Sequence, residues 1–153
     1  KNLNEKVEKI QIYQQCTKGQ KEEISNFYKK NNIKNYVFEF DQNILELILS
    51  SDLAITRCGA SSTAELTQTM TPFIAIPLPD SIDNHQYLNA KYYGDKECCW
   101  IMEQKNFNSK NLFNLIEEIS KNKNKLENIR QNMKKIRSKN VYNEIEKRIK
   151  EII

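Results

Sequence analysis

The chain reads as an α/β protein, a parallel sheet with helices on both faces, followed by a helical tail. Three observations predict it. Short apolar, β-branched runs alternate with amphipathic stretches along residues 10–102. The runs 53–56 and 73–76 are short and, Thr56 apart, apolar throughout, as strands buried on both faces are. Pro72, Pro77 and Pro79 bracket the second of them, marking loops at its two ends.

In order, a short helical lead-in at the start gives way to a strand at Ile10-Gln11-Ile12-Tyr13. Residues 20–31 predict a helix carrying Ile24, Phe27 and Tyr28 on one face. Tyr36-Val37-Phe38-Glu39-Phe40 is a β-rich run bounded by Asn35 and Asp41, followed by an apolar helix through Ile44, Leu45, Leu47, Ile48 and Leu49. After the strand 53–56 and the turn at Gly59, residues 63–70 predict a helix, then the strand 73–76. Residues 84–93 predict another helix, closed by Gly94, and Cys98-Cys99-Trp100-Ile101-Met102 the last strand. From Asn108 the chain is helical, with breaks expected near Asn122 and near Ser138.

Composition sets the bounds. A length of 153 residues suits one domain with one core. Hydrophobic residues at 39% and charged residues at 29% are ordinary for a soluble globular chain, and no apolar run approaches the roughly 18 residues of a membrane span. The first residues lack an apolar h-region, so no signal peptide is expected. Cys16, Cys58, Cys98 and Cys99 have no metal-ligand spacing and His85 is the only histidine, so neither a metal nor any other cofactor is expected. Residues 1–102 hold 11 Lys and Arg against 13 Asp and Glu, whereas residues 103–153 hold 13 against 7. That basic end is either a solvated helical face or a contact for anionic lipid or nucleic acid.

Two segments carry chemistry. In Arg57-Cys58-Gly59-Ala60-Ser61-Ser62-Thr63-Ala64-Glu65 a buried strand runs into a small-residue turn and a helix start. Small residues let a ligand approach the backbone, and the free amides and positive dipole end of the helix suit a diphosphate. The same residues also fit a capping box, Ser62 with Glu65, which stabilises a helix without any ligand. In Pro77-Leu78-Pro79-Asp80-Ser81-Ile82-Asp83-Asn84-His85-Gln86 a stiff loop leads into a polar helix start whose carboxamides can read sugar hydroxyls. Asp83 or Asn84 serving only as an N-cap is the plainer alternative. His85 has no Ser, Cys or Asp partner at a telling spacing, so it is not read as a catalytic base.

Together these segments resemble the glycosyltransferase family 28 C-terminal domain, whose pattern is similar to the 57–65 stretch, Ile76-Pro77 and Asp83-Asn84-His85-Gln86-Tyr87-Leu88-Asn89-Ala90. Gln14-Gln15-Cys16-Thr17-Lys18-Gly19 and Val37-Phe38-Glu39-Phe40 add to the resemblance, which spans residues 8–104. It implies a Rossmann-like domain, the C-terminal half of a GT-B glycosyltransferase, that binds UDP-N-acetylglucosamine for inverting transfer to lipid I in peptidoglycan synthesis. By position, residues Ala60, Ser61, Ser62, Thr63, Ala64 and Glu65 hold the donor, with Glu65 on the ribose. Gln86 meets the N-acetylglucosamine hydroxyls, and Asp41 stands where the family has a main-chain contact to uracil. The family commonly has an apolar residue at the Asp41 position and a serine or alanine at that of Cys58.

The resemblance implies no cofactor, no nucleic acid and no catalytic residue in residues 1–153. The general base and the lipid I site belong to an N-terminal domain, and the first strand of this domain, with its glycine-rich turn, would precede Lys1. A cytoplasmic protein, peripheral on the inner face of the bacterial inner membrane, is implied. Two alternatives stay open: a donor-binding subunit of the same family acting with a separate membrane partner, and a non-catalytic α/β binding module.

Overall fold

The computed structural model describes residues 10–137 and 149–151. Among them the elements alternate as β1 (Gln11–Gln15), α1 (Lys21–Lys30), β2 (Lys34–Phe38), α2 (Ile44–Leu49), β3 (Ala54–Thr56), α3 (Ala60–Gln68), β4 (Phe73–Ala75), α4 (His85–Gly94), β5 (Cys99–Ile101), α5 (Ser109–Lys121) and α6 (Lys123–Arg137). Short 3-10 turns at Ile82–Asn84 and Gln104–Asn106 follow the carboxyl ends of β4 and β5. No helix among the described residues is long and apolar enough to cross a membrane. The lead-in before Ile10 and the break near Ser138 lie outside the described residues.

All strand pairing is parallel, in two pieces: β1 with β2, and β3-β4-β5 in that order. β4 is the centre of the larger piece, its Phe73 and Ile74 beside Ala54 and Ile55 of β3 and Cys99 and Trp100 of β5. Period-2 alternation sends Phe73 and Ala75 to one face, where Leu66, Ala90, Ile129 and Met133 from α3, α4 and α6 pack. Ile74 and Ile76 go to the other, against Ile119 with Leu112, Leu115 and Ile116 of α5. Helices therefore cover both faces of β4, as expected from its unbroken apolar run, whereas β3, expected to be buried on both faces too, leaves Ile55 47% exposed.

Three boundaries differ from expectation. β2 spans 34–38 rather than 36–40, because its ladder with β1 ends at the Gln15–Phe38 pair, and Phe40 projects beyond it, 77% exposed. α3 starts at Ala60 rather than Thr63, because Gly59 in extended conformation (φ −65°, ψ 148°) is its N-cap and the Thr63 amide donates to the Gly59 carbonyl (3.1 Å). Gly94 is the last residue of α4 rather than a left-handed stop: Asp95 is the C-cap, a Cβ at 94 would lie 2.6 Å from Ile101 Cδ1, and the left-handed backbone falls later, at Glu97 (φ 52°).

The thiols of Cys58, Cys98 and Cys99 are free and buried in the core on the α3/α4/α6 side. Burial pushes Cys58 from 9.0 up to about 11 and Cys99 up to about 12. Since the folded state holds these protons more tightly, their contribution is complete below pH 9 and is lost as pH rises toward 11 and 12. Urea unfolding from about pH 8 to about pH 10.5 should show stability falling above 9 by about 1.4 kcal/mol per pH unit for each thiol. The slope should flatten in a Cys58→Ala, Cys99→Ala double variant; an equal slope would mean that these thiols do not report burial.

Candidate functional site

The loops that leave β3, β4 and β5 at their carboxyl ends are fastened to one another. Arg57, just after β3, donates from Nη1 to the Ile76 carbonyl after β4 (3.2 Å) and to Gln104 Oε1 after β5 (2.6 Å). Asn89 of α4 donates from Nδ2 to the Cys58 carbonyl (3.0 Å), holding α4 against the turn that opens α3. In open parallel sheets this rim is where ligands bind.

At the opening of α3, the amides of Ala60, Ser61 and Ser62 make no hydrogen bond among the described residues, as the first turn of a helix leaves them. Gly59, with no side chain over the turn, leaves that backbone accessible. The capping box does not form: Ser62 lies inside the helix, no side chain caps α3, and the partly exposed Glu65 carboxylate has no partner among the described residues. The structure removes Thr63 from the surface. Its side chain is 1% exposed and donates to the Gly59 and Ala60 carbonyls (3.0 and 3.1 Å), so Thr63 fixes the turn from beneath. Ala64 is exposed one turn further on.

Gln86 sits in the first turn of α4. Its Oε1 accepts from the Leu78 amide (3.0 Å), pinning the proline loop and leaving the NH2 end as a donor, while its own amide donates to Ser81 Oγ (3.3 Å). Asn84 is the N-cap by position, but with φ 54° and no capping bond from its side chain; the neighbouring Asp83 is also left-handed, φ 49°. His85 Nδ1 lies 2.7 Å from the Ile82 carbonyl, which can only accept, so Nδ1 carries the proton. Beside Gln86 opens a cleft of about 320 Å³, lined by Pro77, Leu78, Pro79, Asn84, Tyr87 and residues 103–105.

Asp41 stands apart from this group, just past β2. Its carboxylate accepts from Tyr36 Oη (2.8 Å) and from the Asn43 amide (2.8 Å), an Asx turn that starts α2. The hydrogen bond to Asp41, and then its charge, raise the Tyr36 hydroxyl above its ordinary value. This side chain is therefore spent on local structure, and only the main chain at residue 41 is left for a ligand. The carboxyl ends of β1 and β2 are also tied: Gly19, at φ 85°, donates its amide to Glu39 Oε1 (2.9 Å), and Gln15 Nε2 donates to the Glu39 carbonyl (3.1 Å).

Sequence reasoning missed Arg57, Asn89, Gln104 and Phe40. The first three act through contacts 19 to 47 residues away, which no local pattern announces. The signal for Phe40 was present, since a phenylalanine that continues a strand pattern next to a polar turn can also be an exposed ring.

A parallel α/β domain with an anion-ready helix start, a carboxylate and a carboxamide along the rim of its strands belongs to the class of open α/β domains whose ligand-binding places lie at the carboxyl ends of the strands. The comparisons make this specific. The profile of the glycosyltransferase family 28 C-terminal domain matches residues 1–149, and the chain belongs to that family. Two curated relatives are both named UDP-N-acetylglucosamine–N-acetylmuramyl-(pentapeptide) pyrophosphoryl-undecaprenol N-acetylglucosamine transferase. The one from Pelagibacter ubique (strain HTCC1062) is 37% identical over 145 residues, 95% of this chain and 41% of the relative. The one from Rickettsia bellii (strain RML369-C) is 40% identical over 129 residues, 84% of this chain and 36% of the relative. The crystal structure of Acinetobacter baumannii MurG superposes with a TM-score of 0.76 at 25% identity, covering 85% of this chain and 40% of that one. The chain thus spans about two fifths of the length of the proteins it matches.

Proposed function

We propose that this chain is the donor-binding part of a hexosyltransferase that moves N-acetylglucosamine from UDP-N-acetylglucosamine to lipid I with inversion. The observation that carries the reading is the opening of α3, where three unpaired amides and the unpaired Glu65 carboxylate share one helix end among the described residues. The amides and dipole receive the diphosphate, Glu65 accepts from the ribose hydroxyls, and the NH2 of Gln86 donates to the sugar. Phe40, exposed beside the main chain of Asp41, offers a face for the base to stack on. Neither a metal nor a cofactor enters this scheme.

His85 is turned to the Ile82 carbonyl rather than toward an acceptor hydroxyl. We place the general base and the lipid I site in the remaining three fifths of the relatives' length, so that this chain alone should bind donor without turnover. A cytoplasmic enzyme working at the membrane surface, where its lipid acceptor resides, follows from that acceptor. Titration with UDP-N-acetylglucosamine, UDP-glucose and GDP-mannose tests the reading. The UDP ligands should bind more tightly than GDP-mannose, and Gln86→Ala should erase the preference between the two UDP-sugars while retaining UDP affinity. Equal binding of all three would sink it.

The two-part sheet supports a completed domain larger than these strands. On the doubly wound order 3-2-1-4-5-6, β1 and β2 would take the second and third places and β3 to β5 the fourth to sixth, and no strand among the described residues fills the central place between β1 and β3. Ile55 on β3 is 47% exposed, unusual for a residue beside a sheet centre. We assign that place to a parallel strand from the rest of the enzyme. When the remaining residues of a full-length relative are supplied in trans, the free-edge amides of β1 and β3 should exchange more slowly with solvent. Unchanged exchange, with association demonstrated, would refute the assignment.

A further inference from the structure

We propose that the cleft between the proline loop and the Gln104–Asn106 turn is a second saccharide subsite, which takes an uncharged pyranose other than the donor's own sugar. It rests on the reading of Gln86 as the contact to the donor sugar. The strand ends set the layout: the anion turn follows β3, Gln86 and the proline loop follow β4, and the outer wall of the cleft follows β5. Neighbouring strands are about 4.8 Å apart. The cleft therefore lies between the ends of β4 and β5, next to Gln86 and on its side away from the α3 opening, and its lining does not include Glu65, Gln86 or the α3 opening.

The cleft is built before any ligand arrives. Pro77 and Pro79 fix the backbone of one wall, and the Leu78 amide between them is held by Gln86 Oε1. The opposite wall is held through Gln104 Oε1 by Arg57, which also grips the Ile76 carbonyl, so one guanidinium sets the spacing between the two. Asp83 and Asn84, consecutive non-glycine residues at φ 49° and 54°, carry strain at the rim where Asn84 joins the lining.

The chemistry of the lining selects the occupant. Glu103 and Lys105 pair with each other (3.0 Å), so neither offers a free charge to an ionic ligand. Tyr87, Leu78 and the prolines supply an apolar surface for the C–H face of a sugar ring. The Asn84 carboxamide, the Tyr87 hydroxyl and the NH2 of Gln104 have no partners among the described residues; the first two can both donate to and accept from ring hydroxyls, and the Gln104 NH2 donates to them. A volume of about 320 Å³ is at the small end of ligand pockets, in keeping with a single ring.

Methyl N-acetyl-β-glucosaminide, titrated into the chain by heteronuclear NMR with and without saturating UDP-N-acetylglucosamine, tests this. The side-chain amide signals of Asn84 and Gln104 should shift in both titrations. Tyr87→Ala, which leaves the Arg57 contact intact, should weaken the glycoside by about tenfold, one hydrogen bond or ring contact, with donor affinity unchanged, and Gln104→Ala should weaken the glycoside by a similar factor. If saturating donor abolishes the glycoside shifts, the cleft is the donor's own sugar pocket and the proposal is overturned. Absence of shifts at both residues overturns it equally. Glycoside binding in a chain that fails to bind UDP-N-acetylglucosamine would refute the donor reading while leaving the cleft a saccharide site.

Discussion

Phe73→Ala should cost about 3–5 kcal/mol of stability, the largest effect of any single substitution considered for this chain. Phe73 is fully buried on the central strand of the larger sheet piece, flanked by Ala54 and Cys99 and in edge contact with Tyr93 (ring centroids 5.9 Å). Its small neighbours Ala54, Ala75 and Ala90 cannot extend into the space left, so the cavity would stay open. Domains of this kind hold about 5–15 kcal/mol in total, so the loss would consume much of it. Urea unfolding should show a lower midpoint at an unchanged slope. A loss below about 1 kcal/mol would mean that β4 is not the packed centre of the fold.

Glu65→Gln should weaken UDP-N-acetylglucosamine by about 10- to 100-fold, in line with about 1.5–3 kcal/mol for a hydrogen bond to a charged group. The same change should leave the melting temperature of the free chain unaltered, because the Glu65 carboxylate has no partner among the described residues and no capping box is broken. The pairing of the two results matters. A capping role predicts the reverse, a loss of about 1 kcal/mol in stability and no change in affinity. Isothermal titration and thermal unfolding on one preparation separate the two. Equal donor affinity in parent and variant would remove Glu65 from the site.

Strands β3, β4 and β5 were legible as short, largely apolar runs, with Pro72 and Pro77 marking the ends of β4, but only β4 is buried at every position. The strand at Phe38-Glu39-Phe40 was read two residues too far, since propensity continues after the ladder with β1 has ended. The start of α3 was misplaced for a related reason: Ser62 and Glu65 have the spacing of a capping box, yet the extended Gly59 starts the helix earlier without any side-chain cap. Residues 60–65 and Gln86 were singled out from local pattern and from resemblance, and the segments that carry them follow strand ends joined through Asn89 and Arg57. What holds them together was not legible, since the Arg57–Gln104 bond spans 47 residues and depends on three parallel strands ending side by side. The separation into two sheet pieces was equally hidden, because strand–helix alternation reads the same with or without a central strand.

The account stands on the reception of a diphosphate by the start of α3, and backbone amide NMR during a UDP titration tests that most directly. The signals of Ala60, Ser61 and Ser62 should move progressively and saturate together, with Thr63, already bonded to Gly59, moving least. Saturable UDP binding that leaves those three amides unperturbed would contradict it.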